Sequence, residues 1–468
     1  MGDLKNYFNS LKGKSVAVVG AGISNTPLIG LLLTAGIETT VCDKRSREEL
    51  GEAADRFEAQ GAKLRLGDGY LDELDEDVIF RTPGLMPTNP FIKKAVERGA
   101  ILTSEMEVFF DICPCKIIAV TGSEGKTTTT SIIARMLEND GKVVHLGGNI
   151  GTPLLSIVDK IKADDIAVVE LSSFQLITMQ KSPDIALVTN ISPNHLDIHS
   201  DMDEYIDAKS NIFMHQTKFD RAVFNMDNES TRNYAGAAPA GEILFFSMSN
   251  KVTNGVCVDN GIIYESKDGV RTQIMQIENI ILPGKHNIEN YLAACTAVLG
   301  IASFDSMVRT AKNFRGVEHR LEFVRELHGV KYYNDSKASS PGSAIAGIRA
   351  LTDHGDLVLI AGGKDKGIPF NDLGAEIADK VKILVLTGAT ANMIHEAIKS
   401  APNYNADENP ETLTIILCDD FEDAVIKASE AAKEGDIVLL SPACTSFDRF
   451  NNFEERGNKF KDIVNRLV

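Results

Sequence analysis

No apolar run in this chain approaches the roughly 18 residues of a membrane span. The longest candidate near the start, residues 16–33, is broken by glycines and polar residues and reads as a strand, a turn and a helix. Met1-Gly2-Asp3-Leu4-Lys5 has neither the basic segment nor the apolar block of a secretion signal, so the chain is expected to be cytoplasmic, with no membrane partner. Positive charge is scarce: 48 Lys and Arg face 66 Asp and Glu, a formal net charge of -18. That balance argues against nonspecific nucleic-acid binding, although one basic pocket is enough for a phosphorylated substrate. The seven cysteines are scattered and odd in number. Cys113 and Cys115 form a C-x-C pair with no second pair and no histidine at zinc-finger spacing, so all seven read as reduced thiols. Short-period repeats and low-complexity tracts are also lacking.

What is present is an ordinary soluble composition, 43% hydrophobic and 24% charged over 468 residues, long enough for about three domains. The most informative stretch is Ala119-Val120-Thr121-Gly122-Ser123-Glu124-Gly125-Lys126-Thr127-Thr128. An apolar strand precedes it and a helix-like segment follows. A tight turn between them aims backbone N–H groups at one point, where the helix dipole also attracts anions. Lysine adds a point charge for terminal phosphates, and a threonine hydroxyl can hold Mg²⁺. The usual phosphate-loop pattern has a glycine five residues before Gly-Lys, where this chain has Val120. Strand before and helix after nevertheless support a nucleoside triphosphate site.

The expected fold is α/β in three domains. Residues 1–112 open with the strand 15–19, the turn Gly20-Ala21-Gly22, a helix and the strand 39–43, the start of a Rossmann-like unit. Asn25 stands where the dinucleotide pattern needs its third glycine, so another nucleotide group fits better there than NAD. Residues 113–316 carry the phosphate loop and near-continuous apolar strands at 143–146, 166–170 and 185–189, which imply a parallel sheet covered on both faces. From about residue 242 to 277 short polar strands follow, with Asn-Gly turns at 254–255 and 260–261 that suggest hairpins. Residues 317–468 hold strands at 357–360, 383–386, 414–417 and 437–440, a second Rossmann-like sheet.

Glu170 ends an apolar strand downstream of the phosphate loop. Ligands gather at the carboxyl ends of parallel strands, so its carboxylate can reach Mg²⁺ bound to the phosphates. Asn194-His195-Leu196-Asp197-Ile198-His199 follows the next strand and should bring His195 to the same edge. Taken alone, Lys209 is a helix lysine that reads as exposed.

Six ordered motifs then carry a specific resemblance. They are Thr121-Gly122-x-x-Gly125-Lys126-Thr127, Glu170-Leu171-Ser172-Ser173-Phe174-Gln175-Leu176 and Asn190-Ile191-Ser192-Pro193-Asn194-His195-Leu196-Asp197, followed by Leu282-Pro283-Gly284-x-His286-Asn287, Glu318-His319-Arg320 and Asn334-Asp335-Ser336-Lys337. Across essentially its whole length the chain resembles the Mur ligases, which build the peptide stem of bacterial cell-wall precursors. The Glu170–Leu176 run and Leu440-Ser441-Pro442-Ala443-Cys444-x-Ser446-x-Asp448-x-Phe450 point to the member that adds D-glutamate to UDP-N-acetylmuramoyl-L-alanine.

The resemblance implies an ATP-dependent ligase acting through an acyl phosphate and a tetrahedral intermediate. It implies a UDP-substrate domain at 1–112, a central ATP-binding domain at 113–316 and an amino-acid domain at 317–468, in a monomer. Lys126, His195 and Lys209 would be catalytic. Thr127 and Glu170 would hold one Mg²⁺, and His195 a second Mg²⁺ or the substrate. Lys209, in Tyr205-x-x-Ala208-Lys209, matches a lysine that CO₂ carbamylates, which turns a cation into an oxygen ligand. ATP would engage Gly122, Ser123, Glu124, Gly125, Lys126, Thr127, Thr128, Asn287, Asn290, Arg320, Asp335 and Lys337. Ile23, Ser24, Asp43, Lys44, Arg45 and Asn149 would hold the UDP substrate; Ser339, Lys366, Ser446 and Phe453 would hold D-glutamate, with Lys364 an alternative to Lys366. Rival readings are another ligase of the superfamily, a nucleotide-dependent switch and a nicotinamide oxidoreductase. The Asp-Asn-Pro-Arg motif of the ligase adding the third residue is absent.

Overall fold

The computed structural model describes residues 2–194, 198–404 and 413–468. Its packing divides into two compact units: the chain up to Ile280 together with His286–Lys312, and Ile281–Lys285 together with Asn313–Val468.

The first unit holds two sheets. One is all parallel, in the order β3-β2-β1-β4-β5, from β1 (Ser15–Val19), β2 (Glu38–Asp43), β3 (Lys63–Leu66), β4 (Val78–Phe80) and β5 (Ile101–Thr103). The other runs β14-β13-β12-β11-β10-β9-β6-β8-β7. Its parallel part comprises β6 (Lys116–Thr121), β7 (Val144–Gly148), β8 (Ile166–Glu170), β9 (Ile185–Val188), β10 (Arg221–Asn225), β11 (Glu242–Ser247) and β12 (Gly255–Asp259). β13 (Ile262–Lys267) and β14 (Val270–Gln276) add antiparallel at one edge. Val120, at the position usually given to glycine, is fully buried in β6 and pairs with Glu170 of β8.

One apolar cluster runs through both sheets of this unit, taking in Val16, Leu28, Phe109, Ile117, Leu154, Val158 and Phe213. Arg81 follows β4 and is completely buried. Its guanidinium donates to Phe174 O at 2.6 Å and Thr178 Oγ1 at 2.9 Å, fastening the first sheet to the segment after β8.

The second unit carries one sheet in the order β15-β16-β20-β17-β18-β19. Its strands are β15 (Glu322–Leu327), β16 (Val330–Asn334), β17 (Leu357–Ala361), β18 (Val381–Thr387), β19 (Thr414–Cys418) and β20 (Ile437–Leu440). All pairs are parallel except β15–β16. β17 and β20 lie at the centre and are buried on both faces, as their uninterrupted apolar runs require.

One expectation needs correction, and one hairpin has no forerunner in the sequence reading. Asn260-Gly261 turns a hairpin between β12 and β13, but Asn254-Gly255 does not, because β11 and β12 are parallel. The next hairpin, β13–β14, turns at Asp268-Gly269, both with positive φ. The β15–β16 hairpin, turning at His328-Gly329, has no counterpart in the sequence reading, because its mixed polar edge strand lacks a continuous apolar signal. No helix among the described residues is long and apolar enough to cross a membrane.

Candidate active site around the phosphate loop

Strand β6 lies between β8 and β9, so the turns leaving these strands share one edge of the sheet. Gly122 leaves β6 with φ +146°, and Gly125 caps the helix Lys126–Asn139 in the left-handed region at φ +77°. A Cβ on Gly122 would lie 1.9 Å from Thr189 Oγ1, and one on Gly125 2.3 Å from Asn290 Oδ1. Side chains cannot fit there, so backbone alone forms the cradle. Asn190, just past β9, shapes it: its carbonyl accepts from Ser123 N at 2.8 Å, and its Oδ1 accepts from Glu124 N at 2.9 Å. Ser123 Oγ pairs with Tyr205 OH at 3.0 Å and donates to Ser192 O at 2.9 Å.

Lys126 folds back over the turn, donating to Gly122 O at 3.0 Å and Ser123 O at 2.9 Å. Lys209 comes from the helix Met202–Met214, whose N-terminus Asp201 caps by accepting from Glu204 N. It is buried, contrary to its reading as an isolated helix lysine. Its Nζ donates to Gly122 O at 2.8 Å and sits 4.8 Å over the Tyr205 ring. Burial first, then the like charge of Lys126, push its pKa well below the usual lysine value; Glu170 pulls it partly back.

Glu170 is 1% exposed. Asn149 Nδ2 donates to its Oε1 at 2.8 Å, while its Oε2 is buried with no hydrogen-bond partner. An unmatched carboxylate oxygen is costly in a protein interior, and a hard cation would satisfy it. Thr127, in the first turn of the phosphate-loop helix, is buried as well. Asn287 and Asn290 are buried in the helix Lys285–Ala297. Asn290 donates to Asn287 Oδ1 at 3.1 Å and accepts from Thr129 Oγ1 at 3.2 Å, which ties both to the phosphate-loop helix. His195 lies outside the described residues.

At the carboxyl end of β1, Asn25 explains the missing glycine. Its Nδ2 donates to Val19 O at 3.1 Å and Gly20 O at 2.9 Å, closing the turn with a side chain. Asp43 accepts from Ala21 N and from the Arg45 guanidinium, each at 2.7 Å. Burial raises this carboxyl, but the Arg45 and Ala21 hydrogen bonds outweigh it and hold it below the usual range. Ile23 and Lys44 are exposed, and Ser24 caps the helix Asn25–Thr34 without a side-chain hydrogen bond.

In the second unit Asp335 is buried, accepting from Leu321 N at 3.2 Å and Ser441 Oγ at 2.9 Å. Burial pushes its carboxyl up to about 7, against the Ser441 bond and the Arg320 charge. Arg320 is exposed, and Lys337 Nζ lies 5.8 Å over the Phe453 ring. Lys366 Nζ donates to Ser339 Oγ at 3.2 Å; the Lys364 backbone is instead paired with Thr445. Ser446 is buried at the turn after β20. Phe453 packs edge-on against His319, and Lys337 Nζ lies over its ring.

Sequence reasoning missed Asn190, Tyr205 and Arg456 as supports. Tyr205 could have been found, because it precedes Lys209 by one helical turn and shares its face. Arg456 is buried and donates to Ser336 O at 2.9 Å and Cys444 O at 3.1 Å, holding the Asn334–Lys337 turn to the segment after β20.

Comparison with known proteins agrees with this geometry. Residues 120–298 match the Mur ligase middle domain, and residues 319–444 the Mur ligase, glutamate ligase domain. UDP-N-acetylmuramoylalanine--D-glutamate ligase of Ruminiclostridium cellulolyticum is 48% identical over 465 residues, 99% of each chain. The enzyme of the same name from Clostridium novyi is 49% identical over 470 residues, covering 99% of this chain and 100% of its own. Among solved structures, UDP-N-acetylmuramate-alanine ligase MurC from Thermotoga maritima shares the fold with a TM-score of 0.55 at 17% identity, over 97% of this chain and 99% of its own. MurF from Acinetobacter baumannii does so with a TM-score of 0.57 at 17% identity, over 80% and 88%. A likeness that spans the whole chain at nearly half its residues, on a fold with that phosphate loop, means that the chain belongs to the Mur ligase family, in the branch of the D-glutamate ligases.

Proposed function

We propose that this protein joins D-glutamate to UDP-N-acetylmuramoyl-L-alanine, using ATP and releasing ADP and phosphate, in the synthesis of peptidoglycan precursors. Full-length relatives named for that reaction support the reading. The observation in this chain that carries it is the meeting of half-buried Lys126 and buried Lys209 on the Gly122 carbonyl, beside a strand, β8, that ends in an unsatisfied carboxylate oxygen.

A carboxylate is a poor electrophile and phosphate a good leaving group. Transfer of the γ-phosphoryl group to the alanyl carboxylate breaks its bond to ADP and makes an acyl phosphate. The amine of D-glutamate then attacks the carbonyl carbon, and the tetrahedral intermediate collapses with loss of phosphate and a proton. The protein's share is positioning and charge stabilisation. The turn 122–128 offers backbone N–H groups and a helix N-terminus to the phosphates, and Lys126 neutralises charge on the transferred oxygens. Thr127 and Glu170 are the residues to hold Mg²⁺, which family members use and which when bound offsets phosphate charge. His195 is assigned to a second Mg²⁺ or to the substrate.

Lys209 is assigned as a carbamate. Its neutral nitrogen attacks CO₂, an N–C bond forms and a proton leaves. Burial and Lys126 favour that neutral, nucleophilic form. The resulting anion turns repulsion from Lys126 into attraction and offers oxygens to a cation. We assign Asn287, Asn290, Arg320, Asp335 and Lys337 to ATP, and Ile23, Ser24, Asp43, Lys44, Arg45 and Asn149 to the UDP substrate. Ser339, Lys366, Ser446 and Phe453 are assigned to D-glutamate; the Lys366–Ser339 hydrogen bond supports Lys366 over Lys364. Domains at 1–112, 113–316 and 317–468, a monomer, and a cytoplasmic setting complete the reading.

Isotope transfer tests it. With ¹⁸O in the alanyl carboxylate, label should enter inorganic phosphate only when ATP and D-glutamate are both present. Unlabelled phosphate alongside ADP would mean direct hydrolysis of ATP and a nucleotide-dependent switch.

A further inference from the structure

The segment Cys113-Pro114-Cys115 joins the helix Glu105–Ile112 to β6, and the ligase chemistry makes no use of it. Cys113 ends that helix with φ -63° and ψ 123°, the extended form that a following proline imposes. Pro114 fixes its own φ, so the two thiols face one another on a short, stiff connection. Their sulfurs are 3.6 Å apart, and Cys113 Sγ also donates to Cys115 O at 3.7 Å. Closing to a disulfide bond of about 2.05 Å asks for a sulfur displacement of about 1.5 Å, within reach of side-chain rotation.

Access and reactivity both single out Cys113. Cys113 is half-exposed, while the other six cysteines are buried. The hydrogen bond from Cys115 lowers the Cys113 thiol, and Lys181 adds to that against burial and Asp184. Cys115 moves up, through the same hydrogen bond and its burial. One thiol is therefore poised as the entering nucleophile and its neighbour as the resolving one.

We propose that Cys113 and Cys115 form a dithiol modification site that closes to an intramolecular disulfide by exchange with an oxidised low-molecular-weight thiol. The Cys113 thiolate attacks one sulfur of the small disulfide, whose S–S bond breaks and releases one thiolate. Cys115 loses its proton and attacks Cys113 Sγ, expelling the second small thiolate. The two protein thiols give up two electrons and two protons, and the small disulfide is reduced to two thiols. The loop closed is three residues long, so it gains little from loop-closure entropy. The bond should open readily when reduced thiol is in excess.

The test uses the full chain and oxidised glutathione, followed by alkylation with iodoacetamide and peptide mass spectrometry. The expected product is a peptide holding both cysteines, two hydrogens lighter than the reduced form, unalkylated, and restored by dithiothreitol. In Cys115→Ala, checked for folding by its ligase turnover, glutathione should remain trapped on Cys113. A stable glutathione adduct on Cys113 of the unmodified sequence, with Cys115 still a thiol, would overturn the proposal. So would full alkylation of both thiols after exchange, or failure of folded Cys115→Ala to trap glutathione.

Discussion

Lys209 Nζ donates to the carbonyl oxygen of Gly122 over 2.8 Å, from a position only 2% exposed. A cation so placed, beside Lys126, is unfavourable unless something changes its charge. Lys209→Ala should lower kcat by roughly a hundredfold or more, the scale of losing a preorganised charged group. Short carboxylic acids should restore part of the rate by occupying the vacated space. Steady-state kinetics with and without acetate reads both effects.

The same depression gives a stability signature. Below the folded pKa both states are protonated and burial of the charge costs its full amount. As pH rises from there toward 10.5, the unfolded chain binds more protons than the folded one, so stability rises with pH. Lys209→Met should therefore gain melting temperature over the unmodified chain at pH 6 and gain less at pH 9, in buffers freed of CO₂.

Asp335 provides a second pH test with the opposite slope. Its folded value of about 7 lies above the usual 3.8, so the folded state holds the extra proton between them. Stability from this group is full below about 3.8 and is lost as pH rises through about 7. Asp335→Asn keeps an acceptor but cannot ionise. It should raise the melting temperature more at pH 8 than at pH 5.

Backbone geometry separates the glycines of the two turns. Gly125→Ala must adopt a left-handed φ at a cost of about 1–2 kcal/mol and push Asn290 Oδ1 away. ATP binding should weaken measurably by calorimetry. Gly22→Ala has open space and no positive φ, and should change stability by no more than about 0.5 kcal/mol.

Lys366 and Lys364 can be told apart through the amino-acid substrate. Loss of a charge-assisted hydrogen bond costs about 1.5–3 kcal/mol, so Lys366→Met should raise KM for D-glutamate about tenfold or more. Lys364→Met should leave it within about twofold.

The parallel strands were readable because buried β6, β8, β9, β17 and β20 need apolar residues on both faces. The strand–turn–helix around Gly-Lys-Thr was readable too, from the apolar run before it and the helix-like segment after it. Edge structure was not. The β15–β16 hairpin is half polar, and a positive-φ Asp-Gly turn at 268–269 competed with an Asn-Gly pair that leads into a parallel strand. The burial of Lys209 was equally hidden, because it depends on β6 and its loop, some 88 residues earlier in the chain. Asn25 shows the converse: a departure from the glycine pattern visible in sequence, whose purpose needs the two carbonyls it reaches.

ADP release with Mg²⁺, ATP and UDP-N-acetylmuramoyl-L-alanine, supplied with D-glutamate, L-glutamate, L-lysine or no amino acid, tests the central claim most directly. Turnover should require both the UDP substrate and D-glutamate. Equal turnover with any of the additions, or ATP hydrolysis indifferent to all of them, would contradict it.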